Sequence, residues 1–266
     1  DDTGDDDTGD DDDLGDDDDT GDDDTGDDDT GDDDTGDDGL SLEVCAQSGQ
    51  DPASAGWTVS NDAFSGAFGD GDSTTNGGGS SGITDPSWGL WSNPGGLVTA
   101  SWTLASALQP GESLTLELDT GWVDNGGSVS VRLGQGSTVG AEFSLVGGDS
   151  NYTVTDASTV PVDTGLAFSA DGFDLQFEQT VAGGYALSVD GQPAASGSLA
   201  GSVTLVDTLT VVSQAAGTDV ANWDFFFNCL RTYRMDTGDD DDSGDDDDDT
   251  GDDDTGDDDT GDDDTS

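Results

Sequence analysis

The chain has no histidine and no lysine, and its only basic residues are Arg132, Arg231 and Arg234. This absence excludes Ser-His-Asp and Cys-His nucleophile pairs, histidine metal sites, lysine Schiff bases and phosphate-binding P-loops. The 64 acidic residues give a formal net charge of −61. Nucleic acids and anionic membranes are themselves polyanions, so we expect neither as a partner.

Long apolar runs are also absent: no stretch of 18 or more apolar residues occurs, so we predict no membrane span. The chain has only two cysteines, Cys45 and Cys229, far apart and without a CxxC or Cys/His cluster. Their spacing predicts one disulfide that ties the first strand to the last; the alternative is two unrelated buried thiols. A disulfide needs an oxidising compartment, so we predict a secreted or cell-surface, extracellular protein.

Aspartate-rich repeats occupy both ends of the chain. The stretch TGDDDTGDDDTGDDDTGDD runs from Thr20 to Asp38, and near-copies follow Met235 and continue to the last residue. The pattern predicts three segments: an acidic repeat tail over 1–39, a β-sandwich domain over 40–235 and a second acidic tail over 236–266. The middle segment is long enough to bury a substantial core.

Apolar and polar residues alternate along short runs of the middle segment, as in LTLELD, SVSVRL and FDLQFEQT. A period of two is typical of strands with one buried face, and helical periodicity is absent. The predicted core-facing sets are Leu114, Leu116 and Leu118; Val129, Val131 and Leu133; and Phe173, Leu175 and Phe177.

Two further runs complete the strand pattern. YALSV followed by Asp190-Gly191 predicts a strand that enters a tight turn. NWDFFFNCL predicts a last strand with one shared face, formed by Trp223, Phe225, Phe227 and Cys229. Glycine-rich turns between short strands favour an antiparallel all-β sandwich, and cysteines near both ends favour jelly-roll connectivity, in which the first and last strands meet.

The middle segment also resembles a known type of module. The stretches WGLWSNPGGLVTASWTLASALQPGESLTLELDTGWVDNGGSVSVRLG, FSLVGGDSNYTVTD and YALSVDGQPAASGSL are similar to the concanavalin-like jelly-roll modules of bacterial secreted proteins. The resemblance covers most of residues 57–229. It implies a sandwich with a carbohydrate-facing ancestry, and it supplies no catalytic residue.

Paired carboxylates are the one catalytic apparatus that the composition leaves available. Glu117 and Asp119 project from one face of a predicted strand, as in the ExDxxE signature of some jelly-roll glycosidases. In this sequence, however, the motif continues as ELDTGW, so Trp122 stands where the second glutamate would be. We therefore predict no enzymatic activity, and the alternative explanation is that both carboxylates are solvated strand residues.

Tryptophan rings are candidates for stacking on sugars. Trp88, Trp91 and Trp122 lie in the first half of the middle segment and are the candidate carbohydrate-binding residues. The alternative is core packing, which is the usual position of tryptophan in small sandwiches. We expect Trp91 to be the most exposed of the three.

The aspartate repeats match the ligand preferences of Ca²⁺, which takes six to eight oxygens from carboxylates, carbonyls and water. One DDDTG unit offers too few carboxylates for a closed site, so two neighbouring stretches, or a fold-back at glycine, would share an ion. The alternative is a disordered, solubilising linker. The predicted ligands are Asp22, Asp24, Asp27, Asp29, Asp32, Asp34, Asp252, Asp254, Asp257, Asp259, Asp262 and Asp264.

Two function hypotheses follow. In the first, a non-enzymatic extracellular structural protein binds Ca²⁺ through its tails and joins copies of itself into a filament or matrix. In the second, a carbohydrate-binding or adhesive surface module, with extracellular polysaccharide as its partner, is carried on calcium-stiffened acidic linkers.

Overall fold

A computed structural model describes residues 39–72, 83–168, 171–217 and 224–235, which form fifteen strands. In chain order these are β1 (Leu40–Val44), β2 (Thr58–Asn61), β3 (Ser65–Gly71), β4 (Ser87–Ser92), β5 (Leu97–Thr103), β6 (Ser113–Thr120), β7 (Ser128–Gln135), β8 (Thr138–Val146), β9 (Asn151–Thr155), β10 (Val162–Ala167), β11 (Phe173–Val181), β12 (Gly184–Val189), β13 (Gln192–Ser198), β14 (Thr208–Gln214) and β15 (Phe225–Tyr233). Among the described residues, no helix is long and apolar enough to cross a membrane.

The strands form two antiparallel sheets that pack face to face. One has eight strands in the order β13-β12-β11-β6-β15-β4-β3, with β1 also paired to β15. The other has seven strands in the order β10-β9-β8-β7-β14-β5-β2. This all-β, jelly-roll type of sandwich confirms the predicted fold class. The repeats predicted as tails lie outside the described residues.

The core lies between the sheets and includes the alternating apolar residues of three strands that were predicted from the sequence. All nine residues predicted for the core in β6, β7 and β11 are buried: Leu114, Leu116, Leu118, Val129, Val131, Leu133, Phe173, Leu175 and Phe177. Their polar neighbours in sequence point to the other side of each sheet. Burial of each such side chain stabilises the fold by about 1.5–3 kcal/mol, so the alternation specifies which face of each strand is internal.

The turn between β12 and β13 confirms the hairpin prediction. Asp190 and Gly191 both have positive φ, 49° and 72°. Two consecutive residues with φ above zero match the twist of a two-residue hairpin, and an Asp-Gly pair is favoured there.

The last strand departs from the prediction because it carries a bulge. Its pairing with β6 shifts register between Asn228 and Arg231, and Cys229 lies within that shift with a φ of 42°. The core therefore continues from Phe227 to Leu230 and not to Cys229. Trp223, which was predicted to share this face, lies outside the described residues.

The bulge allows β15 to change partners along one of its edges. Its first half pairs with β4, from Phe225 to Phe227, and its second half pairs with β1, from Leu230 to Tyr233. Cys229 lies between these halves and forms the predicted disulfide with Cys45. First and last strands thus meet as the cysteine spacing predicted.

The two ends of the sandwich differ in what they contain. At the end that we call the tail pole, β1 begins and β15 ends, and Arg234 N donates to Gly39 O at 2.7 Å. At the other end, the loop pole, the turns after β6 and β8 meet, with Gly147 N donating to Gly127 O at 2.9 Å. The eight residues of β6 span this distance, so the poles lie roughly 25 Å apart.

Candidate functional site

Trp122 lies at the loop pole, two residues beyond the end of β6, and its side chain is 59% exposed. Its ring centroid is 5.5 Å from that of Phe168, and the two rings are inclined by 44°. We call this pair the aromatic platform. The strand alternation ends at Thr120, so no core-facing position is required of Trp122, and the fold leaves its ring accessible.

A cavity of about 210 Å³ opens beside the platform. It is lined by Trp122, Val123, Leu145, Val146, Gly147, Gly148, Asp149 and Phe168. Gly147 allows the two turns beside the cavity to approach closely, because a side chain at this position would collide with the carbonyl of Asp124. Gly148 has a φ of 96°, a conformation that L side chains rarely adopt.

The chemistry of this cavity suits a sugar. Its walls are mainly apolar and aromatic, and Asp149 adds a carboxylate that can accept hydrogen bonds from hydroxyl groups. An accessible indole ring offers a flat apolar face to the C–H face of a pyranose. The arrangement therefore provides stacking and hydrogen bonding at one place.

Of the other two candidate tryptophans, Trp88 is fully buried. Its ring lies 5.5 Å from that of Phe227, and its Nε1 donates to Gln50 O at 3.2 Å. With no exposed face, this ring is unavailable to a sugar. Trp88 therefore packs in the core, as the alternative explanation predicted.

Trp91 is partly buried and lies over Gly66, in a cavity of about 450 Å³ that also contains Asp51 and Asn61. The expectation that Trp91 is the most exposed candidate is wrong, because its ring covers the neighbouring strand while Trp122 projects from a turn. The alternation of residues along a strand could not show which of these two tryptophans is the more exposed.

The sequence left two explanations for Glu117 and Asp119: a catalytic pair or two solvated strand residues. The structure supports neither an open site nor a solvated pair. Their side chains are only 6% and 4% exposed. Glu117 accepts hydrogen bonds from Thr84 N at 2.8 Å and from Arg231 Nη1 at 3.2 Å. Its Oε2 therefore holds the segment that precedes β4 against the sheet, and its Oε1 pairs with Arg231 of the adjacent β15.

The environment of Glu117 extends to the next strand. Asp174 lies directly opposite in the register of β11 with β6. Burial, followed by the nearby charges of Glu117 and Asp190, raises the pKa of Asp174. On the other side, Asn228 pairs with Glu117 and donates to Thr84 O and Pro86 O. Glu117 and Asn228 thus anchor the 83–86 segment, which gives the Glu117 carboxylate a structural role.

A third cavity, of about 460 Å³ and with a polar lining, lies on the outer face of the seven-stranded sheet. Its lining includes the hydroxyl groups of Thr58, Ser101, Thr103, Thr208 and Thr210. Arg132 also lines it, and its Nε donates to Glu142 Oε1 at 2.9 Å. Because its lining contains no aromatic ring, this groove offers hydrogen bonds without a stacking surface.

Metal ligands were predicted only in the repeats, and those twelve aspartates lie outside the described residues. Within the part of the chain that the structure describes, no three histidine, cysteine or acidic side chains form a group that could hold a metal ion.

The sequence prediction missed Phe168 and Asp149. The available signals were the glycine pair in VGGD and the position of Trp122 directly after a glycine. Neither signal shows which turns meet at one end of a sandwich, because that depends on the pairing of distant strands.

No family model matches this sequence, and no curated protein matches it either. A solved structure of a sialidase superposes on 68% of this chain with a TM-score of 0.50 and 8% identity, and the match spans 17% of the sialidase chain. The conserved carbohydrate esterase vb_24B_21 from Shiga toxin-encoding bacteriophage phi24B superposes on 73% of this chain and 98% of its own, with a TM-score of 0.50 and 15% identity. At these identities the likeness establishes the fold alone.

Proposed function

We propose that the β-sandwich is a carbohydrate-binding module that takes a neutral glycan on the aromatic platform. The observation that carries this proposal is the 59% exposure of Trp122 beside Phe168, at the edge of a cavity that also contains Asp149. Single exposed rings are common on protein surfaces, but two adjacent rings at the edge of a cavity form an apolar patch of the kind that marks a ligand site.

The preference for a neutral glycan comes from electrostatics. The chain has a net charge of −61, and each of its arginines is already paired with a glutamate. An anionic sugar would meet a repulsive field with no cation reserved for it. The two similar structures are named as a sialidase and a carbohydrate esterase. Their likeness supports the scaffold, and the choice of ligand rests on the platform.

Binding of the full-length protein to a panel of neutral and acidic glycans tests the proposal. We expect neutral glycans to bind and Trp122→Ala to lower their affinity by about five- to thirtyfold, since one stacked ring contributes on the order of 1–2 kcal/mol. Phe64→Ala is the matched control, because Phe64 is also 59% exposed but does not line the cavity. Equal loss in both variants, or no neutral glycan bound, would remove the platform from consideration.

We also propose that binding occurs without turnover, since Glu117 is occupied by Thr84 and Arg231. Analysis of the same glycans after prolonged incubation tests this point. Release of products that Glu117→Gln abolishes would establish a catalytic role.

We propose Ca²⁺ binding by the acidic repeats as a second function, together with joining of copies of the chain through them. The repeat sequence carries this proposal, and the tail pole supports it. Gly39 and Arg234 are hydrogen-bonded, so both repeats attach at adjacent points. Two adjacent DDDTG stretches can supply the oxygens that one stretch lacks. The disulfide supports an extracellular site, where Ca²⁺ is abundant.

Calcium titration tests this second function, with bound ions counted and particle size followed by light scattering. Growth that a chelator reverses supports linkage between copies, and bound ions with compaction alone support an intramolecular role. Mg²⁺ at the same ionic strength is the control, because it retains its water and needs octahedral geometry. If Mg²⁺ acts equally, charge screening explains the effect and no calcium site is needed.

A further inference from the structure

The tail pole brings the start of β1 beside the end of β15. β1 and β15 are antiparallel, and their pairing runs from Leu40 opposite Tyr233 to Val44 opposite Leu230. The start of β1 and the end of β15 therefore lie side by side at the same end of the strand pair. A force that separates them acts on the outermost pair first and then on each following pair, so it unzips β1 from β15.

The composition can add to such a force when no divalent cation neutralises the repeats. Most of the 64 acidic residues precede Gly39 or follow Met235, on both sides of this junction. Like charges separated by less than the Debye length of about 8 Å repel at physiological salt. Any pull on the two ends from outside acts in the same direction. The strand pair is thus the first element of the sandwich to be loaded.

The disulfide lies directly behind this pair. Cys45 follows the last residue of β1 and is bonded to Cys229, 184 positions further along the chain. The shortest covalent path from Gly39 to Arg234 passes through this bond and leaves out everything between the cysteines. We infer that the β1–β15 pair and its disulfide form a mechanical junction, which carries force between Gly39 and Arg234 past the rest of the sandwich and not through it.

The sandwich side of the junction is firmly held. Asn228 Oδ1 accepts hydrogen bonds from Ala46 N at 2.7 Å and from Cys229 N at 2.8 Å. Phe225 to Phe227 are paired on both sides, with β4 and with β6. When β1 detaches, the force arrives at Cys229 in the interior of the larger sheet. This inference depends on neither the glycan nor the calcium proposal.

Stretching the full-length protein by its two ends in optical tweezers tests the inference. For the oxidised chain we expect unzipping up to the disulfide, with a gain of roughly 4 nm at the length of an extended residue. After reduction in place, the 184-residue segment enters the force path, and the extension increases by roughly 60 nm more. An oxidised chain that releases tens of nanometres, or a reduced chain that does not lengthen, would overturn the inference.

Two matched variants separate the junction from general stability. Glu43→Gln removes an ion pair of 2.8 Å with Arg231 across the strand pair, so it lowers the force of the 4 nm step but not its length. Glu142→Gln removes the 2.9 Å pair with Arg132 on the other sheet and leaves that step unchanged. Equal effects of both variants would show that the step reports the whole fold. Because reduction is carried out on the wild-type chain under tension, the test needs no cysteine variant that folds.

Discussion

The two poles of the sandwich differ in how their residues are restrained. At the tail pole, Arg234 binds Glu112 at 3.0 Å and Ser106 O at 2.7 Å. At the loop pole, the aromatic platform and its cavity rest on a pair of glycines, and Trp122 is exposed. One end is held by a charge pair, and the other displays apolar surface.

Under the proposed function, this difference puts the stabilising contacts and the glycan-binding surface at opposite ends of the same strands. Substitutions near the tail pole are expected to change the free energy of unfolding, while substitutions on the platform are expected to change binding. A set of variants, ordered here from the largest expected effect to the smallest, tests how complete that division is.

Reduction of the disulfide has the largest expected effect on stability. A closed loop of 184 residues corresponds to about 5 kcal/mol of chain entropy in the unfolded state. Guanidinium unfolding with and without a reductant measures the loss. Glycan affinity below the unfolding transition is expected to stay unchanged, because neither cysteine lines the cavity beside the platform. A reduced protein that binds more weakly while still folded would show that the poles are coupled.

Asn228→Ala is expected to destabilise the fold by about 3 kcal/mol. Its buried side chain accepts from Ala46 N and donates to Thr84 O, so alanine leaves several buried backbone groups without a partner. Urea unfolding provides the measurement. Asn151→Ala is the control: its amide bonds an exposed carboxylate, Asp163, and its loss is expected to cost under about 1 kcal/mol.

Asp224 lies near the loop pole, where its carbonyl accepts from Gly121 N, and burial raises the pKa of its carboxyl to about 7. The folded state therefore binds this proton more tightly than the unfolded state, whose pKa is near 3.8. Stability is present below that unfolded value and is lost as pH rises from about 4 through 7.

Asp224→Asn should remove part of this loss, on the order of 2 kcal/mol between pH 5 and pH 8. Unfolding free energies of both proteins at the two pH values measure it. An equal slope in the two proteins would assign the pH dependence to other groups.

Trp122→Ala is expected to have the smallest effect on stability, under about 0.5 kcal/mol, because the ring is exposed. Thermal unfolding of the variant beside the wild type checks this. A loss above 2 kcal/mol would mean that the ring supports the loop pole, and a change in glycan binding would then have a structural explanation.

The strands were predictable because alternation is a property of neighbouring residues. Leu114, Leu116 and Leu118 face the core wherever their strand is placed, since the opposite face is polar. The turn at Asp190-Gly191 was predictable for a similar reason: its dihedral angles are set by the two residues themselves. The cysteine pairing was predictable because the chain has only two cysteines.

The burial of Glu117 was not predictable from alternation. Its parity correctly puts it on the outer face, but the segment at Thr84 covers that face and uses its carboxylate as an anchor. The bulge at Cys229 was hidden as well, because a shift in register depends on two partner strands and not on the strand that carries it.

The sequence by itself determined an acidic, all-β chain with two aspartate repeats, because charge and period-two patterning are local and add along the chain. Tertiary structure alone decided that Gly39 and Arg234 lie together and that Trp122 lies at the other pole. These positions depend on which strands pair across nearly two hundred residues. That choice minimises exposed apolar surface for the whole sandwich, so no short stretch of sequence contains it.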